Sequence, residues 1–276
     1  GYDWWNQRIN IVKNVLIFGG NRFVGRALSI KLLSKGYNVD VFNRSGTSAH
    51  FTISPIQGDR NNKDDIKQIN FKKYDCVIDM CLFFLSQFDL IYKKIPKDTR
   101  YIFTSSGAAD FRYIEHYGDY GKDKLEIEDF LDCVDFNYQI IRPSYIVGKG
   151  DHRARLDYYI DGIKNEKKIE IDGDGNSEIN MVFVQDVVKV LEKLVEIEEL
   201  DNDVLTVCGS ESFSLLDFIN QVNEKYYQKK LNLVFNSKNA ILPNNTFVFD
   251  NTHTSIRLDM NFTNFYKGFD EYIQTS

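Results

Sequence analysis

The chain has 276 residues, 43% of them hydrophobic, which is enough for one large or two small folded units and too apolar for a disordered chain. Its formal net charge is −6 with no basic stripe, so no attraction to nucleic acid is expected. Its apolar runs are too short to span a bilayer, and the opening Gly1-Tyr2-Asp3-Trp4-Trp5 lacks the apolar segment of a signal peptide, so a cytoplasmic location is expected.

Taken in chain order, short apolar strands alternate with helical patterns. Asn14–Phe18 reads as the first strand, and Ala27, Leu28, Ile30, Leu32 and Leu33 recur at helical spacing up to Gly36. Further strands are predicted at Asn38–Phe42, Thr52–Gln57, Cys76–Met80, Tyr101–Thr104 and Tyr138–Arg142. Helices are expected around Lys63–Gln68, Ser86–Lys94 and Gly121–Cys133. Repeated strand–helix units of this kind imply an α/β fold, a Rossmann-type doubly wound parallel sheet covered on both faces. After Pro143 the rhythm changes. A helix near Arg155–Asn165, strands at Lys168–Ile171, Ile179–Phe183 and Val204–Cys208, and helices from Gln185, Ser214 and Phe265 suggest a smaller C-terminal substrate lobe. The expected division is residues 12–146 for the dinucleotide and 147–276 for the substrate, with the stretch from about 179 to 208 returning to the sheet. Cys76, Cys81, Cys133 and Cys208 have no CxxC spacing and read as reduced thiols. His50, His116, His152 and His253 are scattered without metal-ligand spacing, so no metal site is expected.

The first strand runs into Gly19-Gly20-Asn21-Arg22-Phe23-Val24-Gly25. A dinucleotide turn must leave its strand sharply, let its backbone approach a pyrophosphate, and allow the next helix to pack closely. Gly19 suits the first need and Gly25 the last, and the phosphates would lie at the positive end of the helix, on the backbone of Phe23 and Val24. Asn21 offers an amide and Arg22 a guanidinium in place of the usual middle glycine. The second strand ends Asn43-Arg44, where an acidic residue would favour NAD and repel a 2′-phosphate. Arg22 and Arg44 therefore favour NADP(H) over NAD(H), with NAD(H) remaining the alternative.

These features resemble the atypical and extended short-chain dehydrogenase/reductases of the NAD-dependent epimerase/dehydratase superfamily. The resemblance rests on the GGxRFxG turn, on Asn43-Arg44 and on Gly58-Asp59-Arg60, and by motif order it covers roughly residues 13 to 220. It implies that Asp59 contacts the adenine, and that Arg60, Met80 and Cys81 line the cofactor site. Some members of the GGxRFxG subgroup are reductases, and others have lost catalysis and bind RNA or act as regulators.

Tyr120 and Lys124 stand four apart, on one face of a helix, where an ammonium can ease proton transfer by a phenol. Tyr145 with Lys149 and Tyr226 with Lys230 share the spacing, but only Tyr120 follows a strand ending Thr104-Ser105-Ser106. The resemblance implies a catalytic group of Ser106, Tyr120 and Lys124, with Ser105 as the alternative serine. Tyr120 would donate the proton, Ser106 would hydrogen-bond the carbonyl oxygen, and Lys124 would hold the cofactor ribose. Gly107 and Ala108 stand where related dehydratases place an acid and a base, so elimination of water lacks its usual groups. Arg142-Pro143-Ser144 with Ile146-Val147-Gly148 resembles the family's RPxxIxG segment. Ser144, Arg153 and Arg155 are the candidate substrate contacts, with His152 among the same cations. The expected activity is NADPH-dependent reduction of a keto group, with a nucleotide-linked deoxysugar as the candidate substrate. A sugar-nucleotide 4-epimerase keeping NAD is the first alternative, and a non-catalytic cofactor-sensing regulator or RNA-binding protein the second. The expected partner is a small molecule, with no membrane or nucleic acid, and a homodimer stays open.

Overall fold

A computed structural model describes residues 13–275, so the opening Gly1–Trp5 stretch lies outside the described residues. The first half contains β1 (Asn14–Phe18), α1 (Phe23–Ser34), β2 (Asn38–Asn43), β3 (Ser54–Gln57), α2 (Lys63–Lys67), β4 (Cys76–Asp79), α3 (Leu85–Asp89), β5 (Arg100–Thr104), α4 (Ile114–Cys133) and β6 (Tyr138–Pro143). The second half begins with β7 (Tyr145–Val147), α5 (Arg155–Lys164), β8 (Lys168–Glu170), β9 (Glu178–Ile179), β10 (Met181–Phe183) and α6 (Val184–Glu196). It continues with β11 (Asp203–Val207), β12 (Phe213–Ser214), α7 (Leu215–Val222), β13 (Asn232–Val234), α8 (Thr252–Leu258) and α9 (Phe265–Thr275).

Seven strands form one parallel sheet in the order β11-β6-β5-β4-β1-β2-β3. The period of two sorts β1 between its faces. Val15 and Ile17 join Leu28, Leu32, Val187, Val190 and Leu194 from α1 and α6, whereas Leu16 and Phe18 join Tyr101, Phe103, Ile127 and Leu131. A third, aromatic-rich cluster lies almost wholly past Pro143 and includes Tyr159, Phe213, Phe218, Phe247, Phe265 and Phe269. The chain reverses its direction of travel across the sheet between β1 and β4, and in open α/β sheets the crevice at such a point, beyond the strands' carboxyl ends, is where ligands bind. Both Gly19 and Met80 leave the sheet there.

Several boundaries differ from the sequence reading. The helix expected over Ser86–Lys94 is a five-residue α3 followed by a separate 3₁₀ turn at Tyr92–Lys94. The helix expected from Gly121 begins at Ile114 and is kinked at Gly118, whose φ of 53° and ψ of −135° suit a residue without a side chain. The strand expected over Ile179–Phe183 is split at Asn180, whose buried amide donates to the Gly209 and Phe249 carbonyls. Within the stretch from about 179 to 208, β11 joins the sheet beside β6, whereas β10 pairs with β7 and β9 with β12 outside it.

The corner between β1 and α1 depends on missing side chains. A Cβ on Gly25 would stand 2.2 Å from the Gly19 carbonyl oxygen and 2.9 Å from Gly20 Cα, both backbone atoms that cannot rotate aside. Gly25→Ala should therefore lower stability by roughly 1–3 kcal/mol, the cost of overpacking a tight interior contact. Urea unfolding should show a lower midpoint with an unchanged slope; a wild-type midpoint would contradict the close approach.

Candidate functional site

The turn after β1 presents an uncapped helix end. Arg22 occupies the N-cap position of α1 without a side-chain cap, and the first turn contains no acidic residue. Its amide groups and dipole are thus left for an anion. Gly19 has a φ of +85° and packs against Met80 and Cys81, and its amide donates to the Phe42 carbonyl at 3.2 Å. Phe23 begins the helix at a φ of +40° and meets the His152 ring edge-on at 6.5 Å. Asn21 reaches across to the loop after β2, where its amide donates to Thr47 Oγ1 at 2.6 Å and Ser45 Oγ at 3.3 Å. Asn43 fixes the same loop by donating to the Thr47 carbonyl at 2.9 Å and accepting from Ser45. Arg22 and Arg44 are exposed, and among the described residues neither side chain makes a hydrogen bond or ion pair. Asp59 accepts from the Asn61 amide and side chain at 2.9 Å, and these bonds, with the Arg44 charge, hold its carboxyl below the usual range. The uncapped α1 end and the two free guanidiniums suit a phosphate-bearing dinucleotide.

Arg60 is placed differently. Its guanidinium is buried and clasps Asp79 at 2.6 and 2.8 Å, above the Phe18 ring and 3.4 Å from Cys81 Sγ. It is committed to Asp79 instead of standing free beside the adenine. The candidate substrate contacts are also partly engaged. Arg155 donates to Asp151 and to the Ile146 carbonyl, Ser144 is buried with no partner for its hydroxyl among the described residues, and Arg153 is exposed.

Ser106, Tyr120 and Lys124 are brought together by backbone geometry. A Cβ on Gly121 would lie 2.3 Å from the Ala108 carbonyl oxygen, so only glycine lets α4 approach the turn that follows Ser106 this closely. Together with the Gly118 kink, this sets Tyr120 beside Ser106. Burial raises the phenol's pKa; the Ser106 hydroxyl and the charges of Arg153 and Arg155 oppose the shift. Tyr120 is nevertheless 45% exposed, so its ring is open on one side while its hydroxyl end loses solvent. Ser105 faces the other way and donates to Glu128, which also takes a two-pronged contact from Arg142. Of the two serines, Ser106 alone meets Tyr120.

Lys124 is 3% exposed. Its ammonium donates to the Leu82 carbonyl at 2.5 Å and the Thr104 carbonyl at 3.3 Å, and lies over the Phe83, Phe103 and Tyr120 rings at 4.9, 5.0 and 5.8 Å. Loss of solvent pushes its pKa down to about 8, a shift the Asp79 charge opposes and the Arg60 charge reinforces. The other two pairs at this spacing sit elsewhere: the Tyr145 hydroxyl shares a hydrogen bond of 2.6 Å with Tyr117, and Tyr226 lies in a π-helical turn with its hydroxyl buried. The sequence reading did not single out Gly118, Asp79, Glu128 or Phe83, and it gave Gly121 no role. Gly118 and Gly121 three apart within a helical pattern, and a lone aspartate ending the run Cys76-Val77-Ile78, were the available signals.

Residues 15–82 match the model of the NAD dependent epimerase/dehydratase family, the superfamily the motifs resemble. Among curated proteins, the chain is 25% identical over 222 residues to the chloroplast stem-loop binding protein of 41 kDa b from Arabidopsis thaliana, covering 71% of this chain and 59% of that protein. Among solved structures, the fold is similar to UDP-glucose 4-epimerase from Thermotoga maritima, with a TM-score of 0.73, 17% identity, and coverage of 91% of this chain and 94% of that one. It is similar to ADP-L-glycero-D-manno-heptose-6-epimerase from Helicobacter pylori, with a TM-score of 0.75, 16% identity and 96% coverage of both chains. It is also similar to dTDP-glucose 4,6-dehydratase from Bacillus anthracis, solved with NAD, with a TM-score of 0.75, 12% identity, and coverage of 95% of this chain and 96% of that one. At these identities the structures establish the shared fold. No helix among the described residues is long and apolar enough to cross a membrane.

The buried ammonium has a stability consequence. Lys124 binds its proton less tightly in the folded chain than in the unfolded one, so between about pH 8 and 10.5 the unfolded chain holds more protons and stability rises with pH. Lys124→Met, which removes the charge and keeps the stem, should be more stable than wild type at pH 7 by roughly 1–3 kcal/mol. Denaturant unfolding of both proteins from pH 7 to 10 should show this advantage shrinking as pH rises; a constant difference would mean that burial of the charge is not its source.

Proposed function

We propose, for a chain that bears the NAD dependent epimerase/dehydratase signature on the fold of solved epimerases and dehydratases, an NADP(H)-dependent reductase acting on a keto group. The observation that carries this reading is the meeting of Ser106 and Tyr120 over the buried Lys124 ammonium. In this reading residues 12–146 hold the cofactor and the catalytic group, and residues 147–276 hold the substrate. The bound nicotinamide supplies the hydride. Tyr120 delivers the proton to the carbonyl oxygen, and Ser106 donates a hydrogen bond to the same oxygen as negative charge grows there. Lys124 holds the ribose hydroxyls and keeps a positive charge beneath the Tyr120 ring. The backbone amides of the α1 end hold the phosphates.

The solved proteins with this fold include UDP-glucose and dTDP-glucose enzymes, which supports a nucleotide-linked sugar as the substrate class. A nucleotide-linked deoxysugar, reduced in the cytoplasm, fits a cleft edged by Arg153 and Arg155. Gly107 and Ala108, small and buried beside Ser106, supply no acid or base for dehydration. A 4-epimerase needs the same three residues with a retained NAD; the unpaired Arg44 favours an exchangeable NADP(H). The name of the chloroplast relative favours a second reading, binding of an RNA stem-loop, and the net charge of −6 weighs against it.

Two outcomes are expected. NADP(H) should bind more tightly than NAD(H) in titration calorimetry, and Arg44→Asp should reverse or abolish that preference by removing a cation and adding a repelling charge. Equal affinities in the wild type would remove the basis for NADP(H). Tyr120→Phe should bind cofactor almost normally yet reduce a keto substrate on the order of 10²–10⁴-fold more slowly, the usual worth of a positioned general acid. Single-turnover nicotinamide absorbance reads this directly, with Tyr145→Phe and Tyr226→Phe as controls; a wild-type rate for Tyr120→Phe would overturn the catalytic assignment.

A further inference from the structure

Among the described residues Lys124 makes no ion pair, although Asp79 stands beside Phe103, whose ring the ammonium covers. Asp79 closes β4 with 0% exposure, and its charge is felt at Lys124. Its acceptor positions are already taken: Arg60 Nη1 and Nη2 donate at 2.6 and 2.8 Å, the Tyr101 hydroxyl at 2.7 Å and the Cys81 amide at 3.3 Å. Arg60 reaches it from the loop after β3, 19 residues away in sequence, and is itself 7% exposed. A buried ion pair this closely matched is costly to desolvate and is weak evidence for stability. Its position between the cofactor turn and the catalytic lysine gives it another use.

We infer that Arg60 is a positioning residue for the catalytic group: by saturating and neutralising Asp79, it keeps the Lys124 ammonium on the Leu82 and Thr104 carbonyls, beneath Tyr120, instead of letting it be captured by Asp79. The inference rests on the reductase reading for its functional meaning. The four donors to Asp79 leave it little capacity for another. The Lys124 contacts are two carbonyls and three ring faces, none of which neutralises its charge, so the charge stays available to the phenol and the cofactor. The titratable and charged groups around Lys124 are Asp79, Arg60, Cys81, Glu128 and Tyr120. Glu128 is held by Ser105 and Arg142, burial raises the Cys81 thiol and keeps it neutral, and Asp79 and Arg60 are two charges of opposite effect on Lys124.

The test uses the whole chain without cofactor or substrate. Carbon-13 label at the ε-carbon of lysine reports each ammonium by NMR as pH is raised, and Lys124→Ala assigns the signal. Asp79→Asn leaves the Arg60 charge uncompensated and should move the Lys124 midpoint down by roughly one pH unit. Arg60→Met should move it up by a similar amount. Since Arg60→Met strands a buried carboxylate and can fail to fold, the double variant Arg60→Met with Asp79→Asn removes both charges; its midpoint should lie above that of Asp79→Asn. In the reductase assay, the alkaline limb of the pH–rate profile should move in step with the NMR midpoint, a response that loss of structure alone would not give. If Asp79→Asn and the double variant both titrate with wild-type Lys124, the inference is overturned even where the reductase reading stands. If the midpoints move as stated but no variant or wild type reduces a carbonyl, the reductase reading fails and the coupling remains.

Discussion

The backbone contact between Gly25 and the Gly19 carbonyl fixes where the rest of the cleft can be. With no Cβ in the way, α1 sits hard against the end of β1, and its open amide end points into the crevice where the sheet order reverses. Every other part of the cofactor side is measured from that corner. Met80 and Cys81 pack on Gly19, and Asn21 ties the turn to the loop bearing Asn43, Ser45 and Thr47. A second contact of the same kind, Gly121 against the Ala108 carbonyl, brings the tyrosine to the serine from the opposite side. Two absent methyl groups thus set the spacing between the glycine turn and the Ser106–Tyr120–Lys124 cluster.

Within that frame the electrostatics are those of a site that works by withholding solvent. Burial raises the Tyr120 phenol and lowers the Lys124 ammonium, so the phenol holds its proton more tightly than the ammonium does. The charges of Arg153 and Arg155 bear on the phenol, and those of the Asp79–Arg60 pair on the ammonium. The nearby Glu128–Arg142 pair takes Ser105 out of contention and leaves Ser106 as the hydroxyl facing the phenol.

Much of this was legible from residue types. The alternating strands and helices gave the parallel sheet because its central strands, such as β1 and β4, are buried on both faces, a pattern that depends on short-range spacing alone. The glycine turn was legible because backbone conformation restricts residue choice locally, whereas the grouping of Ser106 with Tyr120 and Lys124 came from the family resemblance, since their spacing alone is shared by two other pairs. The Arg60–Asp79 pair was not legible, because the two lie 19 residues apart and their pairing depends on which strands become neighbours. The bond from Arg155 to the Ile146 carbonyl likewise could not be read from spacing. The start of α4 was placed too late: the helix begins at Ile114 and passes through a kink at Gly118, and the close contact of Gly121 with the Ala108 carbonyl depends on the folded chain.

The central claim is that a phosphate-bearing dinucleotide lies on the uncapped end of α1 and reaches the Ser106–Tyr120–Lys124 group. Amide hydrogen exchange with and without saturating NADP(H) tests it most directly, because it maps binding without requiring the substrate. The account predicts slowed exchange in residues 19–25 and 43–47, a smaller effect around 120–124, and none in the distant π-helical turn Asn223–Tyr227. Protection confined to the second half of the chain, with residues 19–25 exchanging at their free rate, would contradict it.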